Sequence, residues 1–180
     1  MSAKRVALYG LLTSMMLVLG FVERQFVLVS DIPGIRLGLS NTVLLYALCL
    51  MDTKSAWLLM LLKVLLGGFL FSIDSLWYSL SGGILSMIAM WLALFIGGMS
   101  MVGVSVSGAT FHMVGQLLMA SIRLGEWTAV AQAPWLLAAA VVTGVLTGVT
   151  AHVVCRSVAR GDSEMQNRLE NLGRSGRKKL

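Results

Sequence analysis

Six apolar stretches decide what this chain can fold into. They run over about 5–23, 37–51, 55–72, 76–97, 102–121 and 133–156, and Lys63 is the only Asp, Glu, Lys or Arg well inside any of them. A bilayer core about 30 Å thick takes roughly 20 residues of helix, fewer where neighbouring helices shield the ends. In hydrocarbon each backbone N–H and C=O must be satisfied within the segment, so spans of this kind are helical. The second stretch, entered through "SDIPGIRLGLSN", is the shortest, and the sixth begins around Pro134. The expectation is an all-α, polytopic membrane protein. A bundle of six transmembrane helices fills residues 1–158, and a flexible, basic cytoplasmic tail follows over 159–180.

The composition agrees: 57% of the 180 residues are hydrophobic and 12% charged, whereas a soluble domain is about a quarter charged. The net charge of +6 would suit a nucleic-acid binder, but its distribution does not. Lys4 and Arg5 precede the first span, and Arg156, Arg160, Arg168, Arg174, Arg177, Lys178 and Lys179 lie at or beyond the end of the last. Charge that flanks spans reports topology. With six spans both termini share a side with Lys54, while Arg24, Arg36 and Arg123 lie opposite, accompanied by Glu23, Asp31, Asp74 and Glu126. The positive-inside rule then places both termini in the cytoplasm, and the tail suits an anionic lipid surface. The first span lacks a small-residue cleavage pattern before Glu23 and is expected to remain as a membrane helix. Cys49 and Cys155 sit in apolar runs without metal-ligand spacing and read as buried thiols.

Small residues form stripes at helical spacing, the usual means of close packing between helices in lipid. Ser75, Ser79, Gly82 and Ser86 share a face of the fourth helix, and Ala140, Gly144 and Gly148 share one of the sixth. Tight packing explains both. Ala3, Ala7, Gly10 and Ser14 form a similar face on the first helix, where docking of another membrane protein is a second reading.

Three polar anomalies stand out. In "GVSVSGATFHMVGQLLMA", residues 103–120, Ser105, Gly108, His112, Gly115, Gln116 and Met119 fall within an arc of roughly 100°. His112 and Gln116, one turn apart, therefore face the bundle, either as interhelical hydrogen-bonding glue or as the lining of a ligand cavity. Lys63 lies in mid-span, where an ammonium must snorkel, pair or face water; an anionic ligand or Glu23 would serve it. The connection "FVERQFVLVSDIPGIRLGLSN" holds Glu23, Asp31, Arg36, Gly38 and Asn41 around a Pro-Gly turn. Its length suits a lid over a pocket mouth. Helix capping is the plain reading of Asn41 and of Asp74.

No G-x-x-x-x-G-K-[ST] is present, so a Walker-type nucleotide site is excluded. The four Asp residues are isolated, and nothing resembles the paired carboxylates that hold Mg²⁺ against a diphosphate. Neither a metal centre nor a cofactor is expected, and the chain reads as a protein that performs no catalysis itself.

The segments "PGIRLGLSNTVLLYAL", "KVLLGGFLFS", "SLSGGILSM" and "GVSVSGATFHMVGQLLMA" together resemble the Gx transporter family, whose members also carry the name heptaprenyl diphosphate synthase component I. The plan is similar to that of the substrate-binding S-components of energy-coupling-factor vitamin transporters. The resemblance spans about residues 5–155. It implies a six-helix bundle in a bacterial cytoplasmic membrane that takes a small vitamin-like or isoprenoid- or quinone-related solute from outside. A coupling membrane subunit and an ATPase pair would supply the energy. S-components dock through a small-residue A-x-x-x-A pattern on their first helix, which Ala3 and Ala7 match, extended by Gly10 and Ser14. Arg36, Gly38 and Asn41 fit the family's basic-x-G-x-x-N pattern, and His112-Met113 stands where His-Asn is usual. The substrate-binding residues implied are Glu23, Arg36, Asn41, Lys63, Ser81, Gly82, His112 and Gln116. A membrane accessory subunit of polyprenyl or quinone biosynthesis is the alternative.

Overall fold

A computed structural model describes residues 3–25, 38–96, 99–125 and 131–161, together with 163, 165–167 and 169. Six helices make up the described chain: α1 (Ala3–Gln25), α2 (Asn41–Leu50), α3 (Thr53–Phe71), α4 (Ile73–Ile96), α5 (Met101–Leu124) and α6 (Ala133–Ala159). They begin and end within a few residues of the apolar runs, because loss of hydropathy and turn chemistry coincide. Ser100 caps α5 by accepting the Gly103 N–H at 3.1 Å, and Gly125, at φ +66°, ends the helix in the left-handed conformation.

Five of these helices are long and apolar enough to cross a membrane, which makes the chain a polytopic membrane protein. The exception is α2, so the six expected helices are present and the count of six full-length spans is approximate. Its ten residues cover about 15 Å, half a bilayer core. Gly38 at φ +86° breaks the helix on one side, and the backbone leaves helical geometry at Met51 on the other. All the side chains of α2 except Thr42 and Tyr46 are buried, so this half-helix lies inside the bundle rather than along it.

Antiparallel contacts order the long helices. The small-residue faces of α4 and α6 are buried as the sequence implied. A Cβ added to Gly115 of α5 would lie 2.7 Å from the Ser81 carbonyl oxygen and 2.8 Å from Gly82 Cα of α4. A Cβ on Gly144 or Gly148 of α6 would lie 2.8 Å from Val106 Cα or Val102 Cα of α5. The backbones of α4, α5 and α6 thus touch, and Ser105 and Thr147 add a buried hydrogen bond of 2.9 Å between α5 and α6. On the far side, α1 runs parallel to α3. Tyr9 and Ser55 share a hydrogen bond of 2.7 Å near one end of the pair, and the Phe21 and Phe71 rings stack at 6.2 Å near the other.

The start of α1, the start of α3 and the end of α6 consequently share one face of the bundle, which carries Lys4, Arg5, Lys54, Arg156 and Arg160. The opposite face carries the Asp74–Arg123 ion pair at 2.6 Å. Beyond Ala159, Met165 and Leu169 pack against the core, so these tail residues are not detached from the bundle. Large apolar side chains such as Val18, Phe69, Ile122, Trp135 and Val142 point outward and form the surface that meets lipid.

A candidate polar site at mid-depth

Lys63 follows the start of α3 by ten residues, about 15 Å of rise, which puts it near the middle of the span. It is 7% exposed and does not snorkel to an interface. Its Nζ reaches Asn41 Oδ1 at 3.5 Å, and Asn41 Nδ2 donates to Ser86 Oγ at 3.3 Å. Asn41 therefore links α2, α3 and α4. A different arrangement was expected, with Asn41 as the cap of α2. The position before the helix belongs to Ser40, which makes no side-chain capping bond, and the Asn41 amide is committed across the bundle instead.

His112 and Gln116 complete the group from α5, at 2% and 0% exposure. The Gln116 amide nitrogen donates to His112 Nε2 at 3.2 Å, so a neutral ring carries its proton on Nδ1. Two glycines make room for the ring. A Cβ on Gly82 would come within 2.8 Å of Nδ1, and one on Gly38 would lie 3.4 Å from the ring's Cδ2 and 3.0 Å from Asn41 Nδ2. The imidazole is thus flanked by α4 and the turn that leads into α2. A polar group this deep in hydrocarbon is costly unless it finds partners, and here the partners come from separate helices.

Glu23 is also buried, at 5% exposure. Its Oε1 accepts the backbone N–H of Ser40 at 3.0 Å and so ties the end of α1 to the turn before α2. Of the residues singled out in the sequence, the structure gathers Glu23, Asn41, Lys63, Gly82, His112 and Gln116 around the start of α2. Ser81 is turned away: its hydroxyl donates to the Trp77 and Tyr78 carbonyls of its own helix, each at 3.1 Å. Arg36, Asp31 and the Pro-Gly turn of the proposed lid lie outside the described residues, as does Glu126.

Two polar residues at the site went unrecognised in the sequence. Ser86 reads there only as part of a packing stripe, although its place one turn below Gly82 puts it on the inward face. Ser40 offers no signal beyond its position before the helix. The cap expected of Asp74 is supplied by Ser72, whose hydroxyl accepts the Ser75 N–H at 3.1 Å, while Asp74 pairs with Arg123. Cys49 and Cys155 are buried free thiols.

The first-helix stripe faces the other way. Ala3, Ala7, Gly10 and Ser14 are all exposed, and a Cβ added at Gly10 would meet nothing within 4 Å. The Ser14 hydroxyl folds back on the Gly10 carbonyl at 2.8 Å and leaves a shallow, small-residue surface. None of these residues packs the bundle. The inward side of α1 is formed by Leu12, Thr13, Met16, Gly20 and Glu23 instead.

No curated protein and no solved structure matches the chain. A family model does, over residues 12–154, and that range takes in α2 to α5 whole, most of α1 and α6, and every described member of the mid-depth group. With most of the chain covered and the polar group inside the match, the chain belongs to the family described as heptaprenyl diphosphate synthase component I.

Proposed function

We propose that this protein is a substrate-binding membrane subunit of an importer, similar in role to the S-components of energy-coupling-factor transporters. One observation carries the reading: Lys63, Asn41, Ser86, His112 and Gln116 converge from four helices, and Glu23 reaches from the end of α1 to the turn before α2. Intramembrane ionisable groups that face a bundle interior mark solute or ion pathways. A half-helix that ends among such groups is a recurrent device of membrane transport proteins. The solute enters from the side opposite the basic face, which the positive-inside rule assigns to the cytoplasm of a bacterial inner membrane. Apolar walls contribute most of the burial, and the polar group orients a small vitamin-like or isoprenoid- or quinone-related molecule.

Energy comes from a separate ATPase pair and a coupling membrane subunit, since the sequence has no Walker loop. The exposed face of Ala3, Ala7, Gly10 and Ser14 is the surface offered to that coupling subunit. The family's name suggests prenyl diphosphate synthesis. The reading preferred here is that the name marks association with that pathway, because the sequence offers no paired carboxylates to hold Mg²⁺ against a diphosphate. A non-catalytic accessory subunit that presents a lipid-like substrate is the second reading, favoured by the family description alone.

Native mass spectrometry of gently purified protein tests the proposal. A retained small molecule that is lost from folded Lys63→Ala and His112→Ala variants supports it. Equal retention by both variants removes these residues from the site.

A further inference from the structure

Because α2 is half-length, its N-terminal end stops at the depth of Lys63, inside the protein. The N–H groups of Asn41, Thr42 and Val43 are satisfied by the carbonyls of Gly38, Leu39 and Ser40, at 2.9, 3.1 and 3.3 Å. The next donor along is the Ser40 N–H, and Glu23 takes it. A helix N-terminus acts as roughly half a positive charge. Lys63, bonded to Asn41 in the same turn, places a basic side chain beside it.

The second, independent sign is Ser40 itself. Its hydroxyl is at 0% exposure and has no hydrogen-bond partner among the described residues, not even within its own helix. Buried hydroxyls are satisfied in the large majority of cases.

We propose that the N-terminus of α2 is the seat of a carboxylate on the transported solute, and that Glu23 is the built-in surrogate that fills it in the empty protein. The proposal rests on the importer reading for the origin of the occupant. A carboxylate is the group the seat is shown to accept, since the Glu23 carboxylate already takes the Ser40 N–H. The solute carboxylate takes over the Ser40 N–H, gains the Ser40 hydroxyl as a second donor and displaces Glu23.

Chemical rescue tests this on the full chain in detergent. Glu23→Ala should lower the unfolding temperature by about 5 °C, the scale of a lost buried hydrogen bond to a charge in a chain of this size. Sodium acetate at about 100 mM should restore at least half of that loss, as expected for a weak ligand that binds only the folded state. Acetamide, or chloride at equal ionic strength, should restore none, and the wild type should not respond. Recovery that is no larger with acetate than with chloride overturns the proposal.

Glu23→Gln keeps the shape of the side chain if the alanine variant does not fold. Purified from the same cells, it should retain several-fold more co-purifying solute than the wild type, and that solute should carry a carboxylate. Equal retention, or a solute without a carboxylate, overturns the surrogate role while leaving the importer reading in place. Acetate rescue with no solute retained by either protein supports the carboxylate seat and overturns the importer reading.

Discussion

Asn41 Oδ1 accepts from Lys63 Nζ at 3.5 Å, and through this contact a half-helix is joined to the only charged residue in the interior of a spanning run. On the proposed importer reading, Lys63 is kept for binding rather than for stability. Lys63→Met strands the Asn41 Oδ1 acceptor, a loss of about 1–3 kcal/mol, but also removes the cost of burying a basic group, which offsets it. Its unfolding temperature should therefore stay within about 5 °C of the wild type, while its retention of solute falls at least tenfold. Thermal unfolding and native mass spectrometry of the same preparation check the two halves of this expectation.

Asn41 should behave in the opposite way. Asn41→Leu removes an acceptor from Lys63 and a donor from Ser86 at once. Loss of one partner from a buried polar contact costs about 1–3 kcal/mol, more when the remaining group is charged. The variant should be destabilised by about 2–4 kcal/mol in equilibrium unfolding, and combining it with Lys63→Met should recover much of the loss, since the stranded ammonium is then gone.

The glycines separate into two kinds. Gly115→Ala drives a methyl into the α4 backbone at Ser81 and Gly82, which cannot swing aside as a side chain can. Overpacking of this kind typically costs about 1–3 kcal/mol. Gly10→Ala meets open space and should gain about 0.5–1 kcal/mol from the lower backbone entropy of the unfolded chain. Gly10→Leu should leave the isolated protein folded and solute-binding but reduce its recovery with a coupling subunit. Unchanged recovery would argue against the α1 face as the docking surface.

The Asp74–Arg123 bridge joins α4 to α5 at the face opposite the basic one, with side chains 72% and 37% exposed. At that exposure an ion pair contributes about 0–1 kcal/mol and is screened by salt. Arg123→Ala should shift stability by no more than that amount, and the shift should shrink as ionic strength rises. A larger, salt-independent loss would mean that the pair does more than close the end of the bundle.

Much of this architecture is written in local sequence, and the reasons differ from element to element. The long helices are legible because hydrocarbon forces an apolar run into a helix wherever it occurs, and the buried stripes of α4 and α6 are legible because only small residues let backbones touch. His112, Gln116 and Lys63 are visible because each breaks an apolar run. The length of α2 is not, since a ten-residue helix inside a bundle and a longer one across it share the same apolar composition. Nor is the partnership of Asn41 with Ser86: an asparagine at a helix start has a local use as a cap, and only the tertiary arrangement shows that Ser40 holds that place. Glu23 illustrates the same limit. Its place at the end of α1 offers Lys63 or a solute as a partner, yet its carboxylate also accepts a backbone N–H 17 residues away, which no local pattern announces.

The contrast between the two sides of the bundle has a mechanical consequence. Where α4, α5 and α6 meet, main chain rests against main chain, leaving no slack for sliding or tilting. The first helix meets its neighbours through side chains instead, Leu12 and Met16 in the core together with Tyr9, Phe21 and Glu23, and among the described residues no backbone contact pins it. Side chains can shift where backbones cannot, so a distance probe between Ser14 and Val142 should report more motion than one between Ile88 and Phe111.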